Sequence, residues 1–216
     1  VKSHMTVMLV DDHAVVRAGY RLLLSQSDGI DVLCEAETGE EACQLYLECQ
    51  PRVVVMDLNL PGIGGLAATR RILARDPSAK VLIFSMYDEI VYVNRALEAG
   101  AKGYITKSCA PDLLVEAVMR IGRNETMVEP DLAQRLVMQR FSKEEDTSSL
   151  LNVLSAREFD VFCLLARGYS TREAADELKL SFKTVSNYAS LIKDKLNVQT
   201  IAELVLLAYQ HGIIQR

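Results

Sequence analysis

Short apolar runs alternate with longer amphipathic stretches through the first half of the chain. The runs are Val7-Met-Leu-Val10, Val32-Leu-Cys34, Val53-Val-Val-Met56, Val81-Leu-Ile-Phe84 and Gly103-Tyr-Ile105. Each is short, rich in β-branched residues and bounded by charged or turn residues, the pattern of a buried strand. Their apolarity is continuous rather than alternating, which suits strands covered on both faces, as in a parallel sheet. Helical patterns lie between them. Thr38-Gly-Glu-Glu41 reads as a capping box. Leu114, Ala117, Val118 and Ile121 follow the i, i+3, i+4, i+7 spacing, with Pro111 in the first turn. Five strand–helix units in about 120 residues predict a doubly wound α/β domain with a five-stranded parallel sheet. Ligands of such a fold bind at the carboxyl ends of the strands.

The pattern changes after Met127. Pro130 to Arg140 has the composition of one more helix, and Ser142 to Ser149 is polar without apolar periodicity, which reads as a linker. No strand-like run follows. Ser155-Ala-Arg-Glu158 and Ser170-Thr-Arg-Glu173 both match the S-x-x-E capping box, and Gly168 stands where a glycine would end the first of these helices. Ser181 opens a third helix, and Ile201 to Tyr209 supply a fourth. The expected organisation is an α/β domain over 5–125, a linker with a possible helix over 126–147, and an all-α four-helix domain over 148–216.

Composition narrows the classes. The chain has 216 residues, half of them hydrophobic and a quarter charged, enough apolar content to exclude disorder as the main state. The net charge of −5 argues against a uniformly basic nucleic-acid coat but divides unevenly. Residues 1–147 carry −6 and residues 148–216 carry +1. The five cysteines, Cys34, Cys43, Cys49, Cys109 and Cys163, are odd in number and form no C-x-x-C. They read as free thiols in a reducing compartment, so the cytoplasm is expected. No apolar run approaches the roughly 20 residues of a membrane span, and no secretory segment opens the chain. Val1 to His4 read as a cloning scar, with the native start at Met5.

The chemistry gathers at strand ends. Asp11 and Asp12 close the first strand, Asp57 the third, Ser85 the fourth, and Thr106-Lys107 the fifth. An aspartate at a strand end is often only a helix cap. Together, though, three carboxylates at neighbouring ends repel, and each close pair costs about 4 kcal/mol at an effective dielectric near 20. They call for a cation or for protons, and a hard ion such as Mg²⁺ suits such oxygen ligands. A carboxylate, a metal, a hydroxyl and an ammonium are the parts phosphoryl transfer needs. Asp11-Asp12, Asp57 within Val-Met-Asp-Leu-Asn-Leu-Pro-Gly, Ser85 and Tyr104-Ile-Thr-Lys107 resemble the receiver domain of bacterial response regulators, over about residues 5–125. The resemblance implies that Asp57 accepts a phosphoryl group from a histidine kinase. It implies that Asp12 and Asp57 ligate Mg²⁺ with the backbone carbonyl of Asn59, and that Asp11 acts through water. Lys107 would contact the phosphoryl oxygens, and Ser85 and Tyr104 would form a switch pair whose ring turns inward. Unlike most receivers, which place proline after the lysine, this chain has Ser108.

Thr171 to Leu178 and Ser181 to Leu196 have helix-turn-helix lengths. On the second, Val185, Ala189, Ile192 and Leu196 share a core face, while Lys183, Ser186, Asn187, Ser190 and Lys193 lie opposite. Asparagine can pair with adenine edges, and lysine with guanine or phosphate. Thr184 lies at the helix N-terminus, where phosphate is favoured. Leu154-Ser-Ala-Arg-Glu158, Leu165-Ala-Arg-Gly168, Ser181-Phe-Lys-Thr-Val-Ser-Asn187 and Lys195-Leu-Asn-Val198 resemble the LuxR-type DNA-binding domain. The whole chain then resembles the NarL/FixJ family of transcriptional regulators. Tyr188, Asn197 and Ser190 stand where that family more often has histidine, glycine and a basic residue, so no operator sequence transfers. The last helix, with Leu204, Val205, Leu206, Leu207 and Tyr209, is apolar enough to predict a homodimer contact, centred on Leu204 and Leu207.

The expected function is a transcription factor whose binding to a double-stranded operator, as a dimer, is controlled by phosphorylation. Catalysis would be limited to slow self-hydrolysis of the phospho-aspartate. A haloacid-dehalogenase-type phosphatase also uses a strand-end aspartate and Mg²⁺. It needs a second carboxylate two residues on, where this chain has Asn59. A single-stranded RNA binder would need aromatic stacking platforms, which the polar helix face lacks.

Overall fold

The computed structural model describes residues 4–141, 153–210 and 213–214. The chain divides into two compact units: one runs to Asp88 and again from Tyr92 to Gln134, and the other takes Glu89–Val91 and the described residues from Arg135 on. The first unit is built on β1 (Met5–Val10), α1 (Ala14–Ser25), β2 (Ile30–Ala36), α2 (Gly39–Cys49), β3 (Val53–Met56), α3 (Gly64–Arg75), β4 (Val81–Ser85), α4 (Ile90–Glu98), β5 (Gly103–Thr106), α5 (Pro111–Gly122) and β6 (Met127–Val128). The strands pair in the order β2-β1-β3-β4-β5-β6, and every pair is parallel.

Among the described residues the sheet has six strands where five were expected. The sixth pairs Met127 with Gly103 and Val128 with Tyr104. Two residues cannot show a period, so β6 leaves no pattern in the sequence. Strands β3, β4 and β5 are buried along their whole length, as their unbroken apolar runs require. The edge strand β2 is only partly covered. On one face Val7, Leu9, Val53, Val55, Leu82, Phe84 and Ile105 pack with Leu24 of α1 and with Leu114, Ala117, Val118 and Ile121 of α5. The alternate strand residues Met8, Val10, Val54, Met56 and Ile83 are also buried, together with Ala42 of α2, Ala68 and Ile72 of α3 and Val93 of α4.

Caps set the helix ends. Thr38 accepts from the Glu41 amide, but Glu41 reaches back to the Glu37 amide instead of the cap residue's own, so the box predicted at Thr38 is only half formed. No peptide bond among the described residues is cis, so Lys107–Ser108 is trans. After β6, α6 (Pro130–Phe141) forms where a helix was predicted. The linker expected over Ser142–Ser149 lies outside the described residues.

The second unit holds α7 (Ala156–Ala166), α8 (Thr171–Glu177), α9 (Phe182–Leu196) and α10 (Ile201–Gln210). Both predicted capping boxes, Ser155/Glu158 and Ser170/Glu173, are complete and reciprocal. Gly168 takes φ +92°, and Asn197 ends α9 in the left-handed region at φ 53°. The core is Phe159, Phe162, Cys163, Ala174, Val185, Ile192, Leu204 and Ala208. Among the described residues no helix is long and apolar enough to cross a membrane.

Candidate functional site

In this strand order the chain direction of construction reverses between β1 and β3, which opens a crevice at their carboxyl ends. The Asp57 amide donates to the Val10 carbonyl at 2.9 Å, and the Asp11 amide to Ala36 at 3.1 Å. Those bonds set the residues after β1 and β3 side by side. Asp57 is 4% exposed and Asp11 5%. Lys107, after β5, closes the group: its Nζ lies 2.7 Å from Asp11 Oδ2 and 2.6 Å from Asp57 Oδ2. The Lys107 amide is itself anchored on the Ser85 carbonyl at 2.8 Å, which ties the ends of β4 and β5 together.

Burial pushes the Asp57 carboxyl above its usual range, and the Lys107 ammonium pulls it part of the way back. Burial alone would lower the Lys107 value, but Asp57 and Asp11 beside it hold it above normal. The Asn59 amide donates to Asp57 Oδ1 at 3.2 Å, and the His13 amide to Asp11 Oδ1 at 2.8 Å. Each carboxylate is therefore fixed by the turn that follows it. Gly65 brings the start of α3 against this turn: a Cβ there would stand 1.9 Å from the Asp57 carbonyl oxygen.

Among the described residues, Asp11, Asp12 and His13 each offer a ligand atom within 4.8 Å of the others. His13 was not singled out in the sequence. Its ring is mostly exposed, and Nδ1 lies 2.7 Å from Asp12 Oδ1. The carboxylates of Asp11, Asp12 and Asp57 are the oxygen donors a hard divalent cation takes, so the residues fit Mg²⁺. Ser85 is buried, and its Oγ accepts from the Tyr87 amide at 3.4 Å. Tyr104 is wholly buried, with its hydroxyl donating to the Tyr87 carbonyl at 2.7 Å. Its ring thus already occupies the inward position, and both members of the expected switch pair are bonded to Tyr87.

In the second unit, α8 and α9 form the expected helix pair, with Val185, Ile192 and Leu196 buried. Lys183, Asn187 and Ser190 are exposed, and Thr184, Ser186 and Lys193 are half-buried on the same helix. Thr184 is part of the cap: its amide donates to Ser181 Oγ at 3.0 Å and the two hydroxyls are 2.7 Å apart. Its amide therefore helps to close the helix end. Arg172 of α8, also not singled out, places its guanidinium 6.0 Å from the centre of the exposed Phe182 ring. The dimer contact expected at Leu204 and Leu207 needs correction at Leu204. Leu204 is 0% exposed and belongs to the domain core, and Leu207 is half-buried. The apolar residues that α10 presents outward are Ile201, Leu206 and Tyr209. A helix of nearly continuous apolarity does not reveal which of its faces is inward.

Residues 7–119 match the response regulator receiver domain, and residues 152–208 match the bacterial regulatory proteins of the luxR family. The transcriptional activator protein ExaE of Pseudomonas putida is 42% identical over 212 residues, covering 98% of this chain and 99% of that protein. A crystal structure of a LuxR-family two-component response regulator from Aurantimonas sp. SI85-9A1 is 45% identical with a TM-score of 0.63, over 64% of this chain and 99% of that one. RcsB of Salmonella enterica serovar Typhimurium, bound to promoter rprA in the presence of the phosphomimetic BeF3⁻, is 25% identical with a TM-score of 0.63, over 94% of this chain and 98% of that one. The receiver geometry at the ends of β1, β3 and β5 and the helix pair α8–α9 agree with both halves of this match, and the chain belongs to the NarL/FixJ family of two-component response regulators, with a receiver domain and a LuxR-type DNA-binding domain.

Proposed function

We propose that Asp57 is the phosphoacceptor and that its phosphorylation by a sensor histidine kinase controls binding of a homodimer to a double-stranded operator. The observation that carries this reading is the Lys107 ammonium held between Asp11 and Asp57 in a buried crevice at the strand ends. An Asp57 oxygen bonds to phosphorus as the P–N bond of the kinase phosphohistidine breaks. The bond electrons leave with the imidazole, which takes up a proton. Asp11, Asp12, Asp57 and the Asn59 carbonyl would hold Mg²⁺, which when bound offsets charge on the transferring oxygens. Lys107 exchanges its bond to Asp57 for one to the phosphoryl group, and the Ser85 hydroxyl supplies a further donor. Modification adds roughly −1.5 to −2 charges and three acceptor oxygens, enough to bias a two-state element. The pocket offers no carboxylate in place of Asn59, so hydrolysis of the phospho-aspartate is slow and the protein turns over no substrate.

Lys183, Ser186, Asn187, Ser190 and Lys193 of α9 face the operator, in a domain that spans 148–216 and works in the cytoplasm. The dimer binds half-sites about one helical turn apart. Intact mass after incubation with a small-molecule phosphodonor and Mg²⁺ tests the switch chemistry. One phosphoryl adduct is expected on the wild type and none on Asp57→Asn. An adduct of equal yield on both proteins would place the phosphoacceptor elsewhere.

A further inference from the structure

Arg17 stands where a cation is electrostatically disfavoured, in the first turn of α1 at the positive end of the helix. It is nevertheless 9% exposed. Arginine is almost never buried without partners, and each of the three guanidinium nitrogens donates a hydrogen bond. Nε donates to Glu35 Oε2 at 2.8 Å, and Nη2 to Glu37 Oε1 at 2.7 Å. Nη1 donates to the backbone carbonyl of Asp11 at 2.5 Å. Glu35 is held from its other side by Arg21 at 2.6 Å. Burial would raise the Glu35 value, but the bonds from the two arginines keep it below the usual carboxylate range.

The third bond distinguishes this group from an ordinary ion pair. The Asp11 carbonyl belongs to the peptide that joins Asp11 to Asp12, so fixing it fixes the backbone between two carboxylates of the pocket. The Asp11 amide is held by Ala36, and its Oδ1 by the His13 amide. With Arg17, the residue is fastened at its amide, its carbonyl and its side chain. The glutamates that brace the guanidinium come from β2 and the turn after it. The edge strand supplies no carboxylate to the pocket, yet it braces the turn after β1 through Ala36, Glu35 and the Glu37 that follows it.

We propose that Arg17 is a positioning residue for the cation pocket: through the Asp11 carbonyl it holds the Asp11–Asp12 turn in the geometry that binds Mg²⁺. This rests on the phosphoacceptor reading above. Lysine cannot replace it, because a single ammonium lacks the rigid fork that spans Glu35, Glu37 and the carbonyl at once.

The test is calorimetric titration of Mg²⁺ into the full-length wild type, Arg17→Lys, Glu35→Gln and Val118→Ala, with phosphorylation rate measured against Mg²⁺ concentration. Outer partners of metal ligands typically change affinity by about 10–100-fold. Arg17→Lys is expected to weaken Mg²⁺ binding about tenfold, with the phosphorylation rate recovering at saturating Mg²⁺. Glu35→Gln, which loosens the brace but leaves Arg17 in place, is expected to weaken binding by a smaller factor, at least about threefold. Val118→Ala lowers stability through the α5 core and leaves Mg²⁺ affinity at the wild-type value. Wild-type affinity in folded Arg17→Lys and in Glu35→Gln overturns the proposal and leaves the phosphoacceptor reading intact. Should Arg17→Lys fail to fold, Glu35→Gln alone decides. A wild type that binds no Mg²⁺ overturns both.

Discussion

Gly65 shows how closely the acidic pocket is built against its own backbone. A methyl group there would meet the Asp57 carbonyl oxygen at 1.9 Å and the Leu58 Cα at 2.9 Å. Neither is a flexible side chain that can move aside, so Gly65→Ala must displace the turn that carries the phosphoacceptor. Overpacking of this kind costs about 1–3 kcal/mol, and the movement falls on Asp57 itself. The expected outcome is a lower urea midpoint together with a loss of phosphorylation at matched folded fraction. Gly168→Ala is the contrasting case. Its φ of +92° is unfavourable for alanine, but no atom lies within 4 Å of the added carbon. It is expected to cost about 1–2 kcal/mol and to leave phosphorylation unchanged, as urea titration and the same adduct assay can check. The sequence made the carboxylates and Lys107 legible because each ends an apolar run. Arg17, His13 and the close approach of Gly65 were not legible, because their roles depend on which distant segment lies beside them.

Elements are fastened by a few side chains at their ends. Glu129 precedes α6 and accepts from both the amide and the hydroxyl of Thr106, each at 2.8 Å. Its own amide donates to the Tyr104 carbonyl at 2.9 Å. These bonds hold the two-residue β6 and the start of α6 against the end of β5, one residue before Lys107. Glu129→Ala is expected to speed amide exchange in β6 and the first turn of α6 while β1 and β3 keep their protection. Equal loss across the sheet would mean a general destabilisation instead. In the second unit, Glu158 accepts from the Ser155 amide at 2.7 Å and from Lys195 Nζ at 2.7 Å, which joins the start of α7 to the last turn of α9. Burial would raise its carboxyl, but Lys195 and the Ser155 amide outweigh that and hold it below the usual range. A carboxyl depressed in the folded state adds stability above its unfolded value near 4.3, and that stability is lost as pH falls through the folded value. Exchange protection of α7 amides should therefore drop as pH is lowered from about 5 toward 3, after correction for intrinsic exchange. The drop should be smaller in Glu158→Gln. Capping boxes were readable here because both partners lie within four residues. The strand β6 and the Glu129 bonds were not, because their partners lie on β5, more than twenty residues away.

Over the whole molecule the charge limits how DNA can be held. The first 147 residues carry −6 and the remainder only +1, so attraction to DNA comes from a few local cations rather than from a basic surface. Of the three lysines of α9, Lys195 is paired with Glu158, which leaves Lys183 and Lys193 for the DNA. A dimer bound as proposed would neutralise about four phosphates, and at roughly 0.9 per contact the logarithm of affinity should fall with the logarithm of salt at a slope near −4. Phosphorylation at Asp57 adds charge inside a crevice of the receiver domain and adds no cation to α9. It should raise operator affinity at every salt concentration while leaving the slope unchanged. Fluorescence anisotropy on an operator duplex, at four or five salt concentrations with and without phosphodonor, measures both quantities. A slope near −8 would bring in cations beyond this helix, with Arg172 beside Phe182 the first to replace by alanine. A slope that steepens on phosphorylation would mean that modification brings more of the chain onto the backbone of the DNA, so that the switch acts by creating contacts rather than by selecting a conformation that already makes them.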